Sequence, residues 1–209
     1  MIKRRIINNI QYQKGMHLNL KTPQKTKTIF KFRKKQLLFG SIAVILIIAC
    51  SSIYFFFFSQ KWKDISYNKG LKNLNDGKFS EATKNFEKAL SGDNESDALY
   101  RLAVSKYNQK DFEGASESYL KAIKKDPSNQ LAYNGLGNLY RDQKEYIKAE
   151  ENYRKAIALD ENYVIAYSNL AIMFMDNGKN SEAEGIIDKG LEKNPDSPEL
   201  KNIKNILGE

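Results

Sequence analysis

The chain has 209 residues, 28% charged and 41% hydrophobic, which suits one or two folded units. Its net charge of +9 belongs to one end: eleven of the 34 Lys and Arg lie in residues 1–35, which contain no Asp or Glu, so the remaining 23 are set against all 25 acidic residues. Because the rest of the chain is nearly neutral, its charge gives no reason to expect nucleic-acid binding. The chain has one Cys and one His, too few for an internal disulfide or a complete zinc site.

The basic segment 1–35 is predicted to be a disordered tail that helps to set membrane topology. An alternative is a short amphipathic helix on the membrane surface, because Ile2, Ile6, Ile7 and Ile10 recur at helical spacing. The sequence also leaves open whether Met1 or Met16 is the start.

Residues 37–58 read LLFGSIAVILIIACSSIYFFFF, a run of 22 without a charge. As a helix this run would extend roughly 33 Å, which is enough for a hydrocarbon core of about 30 Å. Its fourteen Leu, Ile, Val and Phe residues favour insertion by about 4–8 kcal/mol. We therefore predict one transmembrane helix over 36–59, rather than the core helix of a soluble domain.

Flanking charge predicts the orientation of this helix. Seven basic residues lie between Lys21 and Lys35, whereas the segment 59–78 carries five Lys and two Asp and leads into a long domain. Short basic tails stay in the cytoplasm, and long domains translocate with little regard to charge. We expect a cytoplasmic N-terminus and residues 63–209 outside a plasma membrane, with Tyr54 and Trp62 at the interfaces.

Two other interpretations of the N-terminal region are less favoured. The sequence before Cys50 loosely resembles a bacterial lipobox, which would make Cys50 a lipidated N-terminus. The apolar run continues after Cys50, so a Cys packed in a membrane helix is preferred, although lipidation stays open. A mitochondrial presequence is disfavoured, because the apolar helix is too long for a transient signal.

From residue 63 onward, equivalent residues recur every 33 or 34 positions. Small residues occupy three columns and large ones a fourth. The columns are Ala82, Ala115, Ala149 and Ala183; Ala89, Ala122, Ala156 and Gly190; Gly70, Ala103, Gly137 and Ala171; and Phe86, Tyr119, Tyr153 and Ile187. Such a fixed period indicates a repeat protein in which stacked units share their apolar faces.

The repeat resembles the tetratricopeptide repeat, whose 34-residue unit follows W-x2-L-G-x2-Y, A-x3-F and a late Pro. Residues 130–163 match best, through Tyr133, Leu136, Gly137, Tyr140, Tyr146, Ala149, Tyr153 and Ala156. The resemblance implies an all-α solenoid of about four helical hairpins, over 63–95, 96–129, 130–163 and 164–197, with a capping helix at 198–209. Ser66 and Lys69 depart from the pattern, which leaves the first helix of repeat one open.

In this family the first helix of each unit lines a concave groove. The resemblance therefore implies a protein- or peptide-binding groove. Its expected lining is Tyr100, Arg101, Tyr107, Asn134, Asn138, Arg141, Asn169, Ile172 and Asp176, together with Val104, Asn108, Asp142, Ser168 and Met175. An Asn amide can hold the backbone of an extended peptide, and Arg suits a carboxylate. A solvated polar face is the alternative for each residue taken singly.

Catalysis has little support in the sequence, because no His or Cys stands in the repeat region and no phosphate-binding glycine motif occurs. We expect a non-enzymatic scaffold without cofactor or metal, anchored by one membrane helix and binding a protein or extended peptide at the outer face of a bacterial plasma membrane. The alternatives are a cytosol-facing recruiter and a regulatory subunit of a membrane enzyme.

Overall fold

The structure is a computed structural model that describes residues 24–90 and 95–208, with side chains from Val44 onward. Within these ranges all regular structure is helical. The chain divides into two units, residues 1–56 and 57–209. The possible amphipathic helix at Ile2–Ile10, Met16 and His17 lie outside the described residues.

The first helix, α1, spans Gln24–Asn75. It differs in extent from the predicted transmembrane helix, since it begins inside the tail expected to be disordered and continues into the first repeat. Pro23 directly precedes it, a place where proline is well tolerated. No proline follows until Pro127, and the segment between Phe58 and Lys63 holds no glycine, so nothing there ends the helix.

The described part of α1 from Val44 includes a stretch long and apolar enough to cross a membrane, and none of that stretch is buried. Its large apolar side chains lie open, with Ile47 67% and Phe55 72% exposed. Cys50 is exposed on the same helix. A helix that displays apolar side chains all round fits an apolar surrounding better than water.

The unit 57–209 contains the end of α1 and eight further helices in the described ranges. They are α2 (Phe79–Ala89), α3 (Glu95–Asn108), α4 (Phe112–Lys125), α5 (Gln130–Asp142), α6 (Tyr146–Leu159), α7 (Val164–Asp176), α8 (Asn180–Lys193) and α9 (Pro198–Leu207). They form consecutive antiparallel pairs, in which α3 packs on α4, α5 on α6 and α7 on α8.

The small columns of the repeat let paired helices approach closely. A Cβ placed on Gly137 of α5 would lie 2.7 Å from the ring of Tyr153 on α6, which is fully buried. A Cβ on Gly70 would likewise lie 2.7 Å from the ring of Phe86. The large column thus fills the space that the small column leaves, as the sequence pattern predicts.

The turn inside each pair needs one residue in the left-handed region. That residue is Gly77 (φ 72°), Lys110 (φ 65°), Lys144 (φ 62°) and Gly178 (φ 69°) in the successive pairs. The recurrence of one backbone conformation in four turns shows that the pairs share a common geometry, although glycine supplies it in only two of them.

The row of pairs is curved. The backbones of α3 and α5 approach each other, as do those of α5 and α7, whereas the second helices α4, α6 and α8 do not approach one another. Helices that lie closer together form the inner side of a curved stack. The first helices therefore line a concave surface, and the second helices form the outer side.

Helix α9 closes the row by packing on both α7 and α8. It begins after Ser197, whose Oγ accepts a hydrogen bond from the Leu200 backbone N–H at 3.3 Å. Leu200 is fully buried and Ile203 is 7% exposed, and both join the core of the last pair. This helix covers apolar surface that a further repeat would otherwise cover.

Candidate protein-binding groove

The first helices are joined across repeats by polar side chains. The Tyr67 hydroxyl donates a hydrogen bond to Asp97 of α3, and the Tyr107 hydroxyl of α3 donates one to Asp142 of α5. Further along, Asn169 Nδ2 of α7 donates to Asn134 Oδ1 of α5 at 3.0 Å. These contacts connect each first helix to the next and hold the concave surface in one arrangement.

Both carboxylates, Asp97 and Asp142, also pair with arginines predicted to line the groove. Arg101 Nε lies 3.5 Å from Asp97 Oδ1, and Arg141 Nη2 lies 3.2 Å from Asp142 Oδ1. Each site is therefore a Tyr–Asp–Arg cluster with no net charge. A role for Arg101 and Arg141 in meeting a ligand carboxylate stays a prediction, and such a ligand would have to compete with Asp97 and Asp142.

The tyrosines of the groove are held in their neutral form. Burial, followed by the hydrogen bond to Asp142, raises the pKa of Tyr107 to about 12. Burial also raises the pKa of Tyr100, whose ring lies 6.1 Å from that of Tyr119 and 5.2 Å from the Arg101 guanidinium carbon. Tyr100 and Tyr107 are half-buried and present only part of their rings to a ligand.

The predicted asparagines keep only part of their hydrogen-bonding capacity for a ligand. Asn134 is 6% exposed, and its Oδ1 accepts from Asn169. Asn138 Oδ1 accepts from the Tyr153 hydroxyl at 2.7 Å. Asn138 Nδ2 and Asn169 Oδ1 bond to no other described residue, so they provide one donor and one acceptor for a peptide backbone.

The fourth repeat presents a different surface. Ile172 is 36% exposed and Asp176 is exposed, and Asp176 forms no ion pair or hydrogen bond with the described residues. Ser168, which was also expected to line the groove, is only 1% exposed, and its Oγ has no hydrogen-bond partner in the described part of the chain. Ser168 is thus part of the interior rather than of the groove surface.

Sequence reasoning missed the partners that position the groove residues. Tyr67 and Asp97 were not predicted, and Tyr153 was predicted only as a member of the large column. The 34-residue spacing alone does not show which side chains form hydrogen bonds with each other. The only available signal was the recurrence of Tyr, Asn and Asp on the first helices. No group of metal-ligating side chains occurs among the described residues.

A cleft of about 370 Å³ lies on the outer side, where α6 and α8 diverge. Its lining includes the apolar side chains of Ile157 and Ile186, the ring of Tyr167 and the charged side chains of Arg154 and Lys193. The Lys193 ammonium pairs with Glu161 at 2.6 Å. None of the predicted groove residues lines this cleft, so it is separate from the concave surface.

Comparison with known proteins identifies the repeat. A family model described as "TPR repeat" matches residues 103–143 and 137–178. The photosystem I assembly protein Ycf3 of Synechococcus sp. (strain CC9605) is 30% identical over 80 residues, which are 36% of this chain and 46% of that protein. The matched region thus spans less than half of that curated relative.

Solved structures share the fold. The pilF protein of Pseudomonas aeruginosa superposes with a TM-score of 0.62 at 26% identity, covering 71% of this chain and 68% of that one. A thermophilic TPR protein of Thermus thermophilus gives a TM-score of 0.59 at 20% identity, covering 69% and 80%. The chain therefore carries tetratricopeptide repeats in an all-helical tetratricopeptide-type solenoid.

Proposed function

We propose that this chain is a non-catalytic scaffold that holds a protein or extended peptide in the concave groove of α3, α5 and α7, and that α1 anchors it in a membrane. The observation that carries the proposal is the row of cross-repeat contacts. Because Tyr107–Asp142 and Asn134–Asn169 hold the first helices together, the groove is formed before a ligand arrives, which lowers the ordering cost of binding.

The composition of the groove supports a protein ligand over a small substrate. It is a long surface of half-buried aromatic rings, amides and paired charges, and extended concave surfaces of this kind are what stacked helical repeats use for binding. Proteins with tetratricopeptide repeats commonly mediate protein–protein interactions. We extend this role to the present chain.

Site-specific photocrosslinking in the producing cells tests the groove. A photoreactive residue replaces Asn108, which is exposed on α3, and in a control it replaces Lys155, which is exposed on the outer helix α6. We expect a discrete crosslinked protein from position 108 and none from position 155. Equal products from both positions, or none from either, contradict the groove as a binding surface.

The membrane anchor and its orientation are the second part of the proposal. They are supported by the exposed apolar stretch of α1 and by the basic tail before it. We place residues 63–209 outside a bacterial plasma membrane; a cytosol-facing array and a subunit of a membrane enzyme are the alternatives.

Protease treatment of intact cells should digest the repeats. Repeats that resist until lysis indicate the opposite orientation, and extraction of the chain by carbonate contradicts the anchor.

A further inference from the structure

The fourth repeat carries a carboxylate whose counterpart in the third repeat is neutralised by its neighbours. Asp142 of α5 receives the Tyr107 hydroxyl and the Arg141 guanidinium. Its counterpart one 34-residue period later is Asp176 on α7. Asp176 is exposed and pairs with no side chain in the described ranges.

The reason lies in two substitutions along the repeat. The position that holds Arg141 in the third repeat holds Met175 in the fourth, so α7 has no arginine beside its carboxylate. The position that holds Tyr107 holds Arg141 in the next repeat, and its guanidinium turns to Asp142 at 3.2 Å instead of reaching Asp176. The next cation along the chain, Lys179, places its Nζ 5.8 Å from the centre of the Phe174 ring.

An apolar side chain stands beside this carboxylate. Ile172 lies four residues before Asp176 on α7 and is 36% exposed. Residues four apart on a helix lie about 5–6 Å from each other at Cβ and share a face. Among the named groove charges, Arg101 and Arg141 are matched by Asp97 and Asp142, so Asp176 is the one in excess.

We propose that the α7 end of the groove selects an extended peptide segment with a Lys or Arg next to an aliphatic residue, the cation meeting Asp176 and the aliphatic side chain meeting Ile172. This inference rests on the proposed groove function. Asn138 Nδ2 and Asn169 Oδ1 bind the main chain of the segment. An acidic segment or a terminal carboxylate is disfavoured, because both arginines are already neutralised and Asp176 repels it.

An array of synthetic random decapeptides, acetylated and amidated, tests the selectivity when probed with the purified full-length chain in detergent. We expect the strongest signals from peptides with Lys or Arg within two positions of Leu, Ile, Val or Met. Asp176→Asn should weaken these signals about two- to fivefold, as expected for one exposed ion pair. The matched control is Asp188→Asn on the outer helix α8, where Asp188 pairs with Lys204 at 2.6 Å; it changes net charge equally and should leave the signals unchanged.

The outcomes separate this inference from the function on which it rests. Binding dominated by acidic peptides, or equal signals for the Asp176→Asn and Asp188→Asn variants, overturns the selectivity while leaving a peptide-binding groove. Failure of every peptide to exceed the signal of heat-denatured protein overturns both.

Discussion

At the scale of single residues, buried hydroxyl groups on the first helices differ in whether they form a hydrogen bond. Ser105 on α3 and Ser168 on α7 are both buried. Among the residues that the structure describes, only the Ser105 hydroxyl has a partner, the Arg101 carbonyl oxygen at 2.9 Å. A buried hydroxyl without a hydrogen bond lowers stability, since it loses water and gains nothing. Ser168 is therefore a local weakness of the last repeat.

Replacing Ser168 by Ala removes that unsatisfied group and introduces a better helix former. We expect the free energy of unfolding to rise by about 1 kcal/mol. Ser105→Ala is the control: it also gains helix propensity but gives up a hydrogen bond, so no comparable rise is expected. Chemical unfolding followed by circular dichroism measures both variants. A Ser168→Ala protein that is no more stable than Ser105→Ala would show that the hydroxyl is satisfied in solution.

At the scale of the helix pair, close approach depends on the small column. Gly137→Ala introduces a methyl group 2.7 Å from the buried Tyr153 ring, whereas Gly185 on α8 has nothing within 4 Å of an added Cβ. Both substitutions gain the same helix propensity, about 1 kcal/mol. We expect Gly185→Ala to stabilise the fold by roughly that amount and Gly137→Ala to be less stable than Gly185→Ala by about 1–3 kcal/mol, because overpacking opposes the gain. Equal midpoints of the two variants in a urea titration would mean that α5 and α6 can move apart to admit the methyl group without loss of stability.

The capping helix offers a second test at this scale. Leu200→Ala truncates a side chain that is fully buried between α9 and the last pair, and Ile206→Ala truncates one that is 54% exposed on the same helix. The first should cost about 2–5 kcal/mol, because it leaves a cavity. The second should change stability by less than about 0.5 kcal/mol. Calorimetric melting compares the two, and similar losses would show that α9 does not cap the core.

These elements also show which parts of the fold could be predicted from the sequence. The pairs α3–α4, α5–α6 and α7–α8 were predictable, because the small and large columns such as Gly137 and Tyr153 repeat in phase. The extent of α1 was not, because the polar residues after Phe58 are compatible with either a loop or a continuing helix. The groove positions followed from the repeat, but their chemistry did not. The hydrogen bond that Asn134 accepts and the ion pair that Arg141 forms depend on partners 35 residues and one residue away in sequence.

For the molecule as a whole, stacking and polar contacts act together. Adjacent pairs share buried surface, as in the core that contains Tyr153 of α6 and Leu170 of α7. The groove contacts Tyr107–Asp142 and Asn134–Asn169 then fix how consecutive pairs sit against each other. A rigid groove and a stable array thus depend on the same interfaces, so loss of one polar contact should loosen the groove before it unfolds the chain.

Alkaline pH probes the Tyr107–Asp142 contact together with Tyr163, a half-buried tyrosine that directly precedes α7. The pKa of Tyr107 is raised to about 12 by burial and by Asp142, and that of Tyr163 to about 12 by burial and the charges of Tyr100 and Asp160, against about 10 for an unfolded tyrosine. Both favour the neutral form in the folded state, so their contribution is complete below pH 10. It is lost between about pH 10 and 12, where the unfolded chain ionises first. Urea unfolding at steps between pH 8 and 12 should show this fall.

Ion-paired lysines such as Lys193, whose pKa is raised by Glu161, act in the same direction. Other tyrosines with a raised pKa, such as Tyr67 and Tyr100, also act in this direction. The Tyr107→Phe, Tyr163→Phe double variant therefore isolates only the part that these two hydroxyls contribute: its stability should fall less steeply than that of the parent, and parallel curves would show that the two hydroxyls ionise as readily in the folded chain as in the unfolded one.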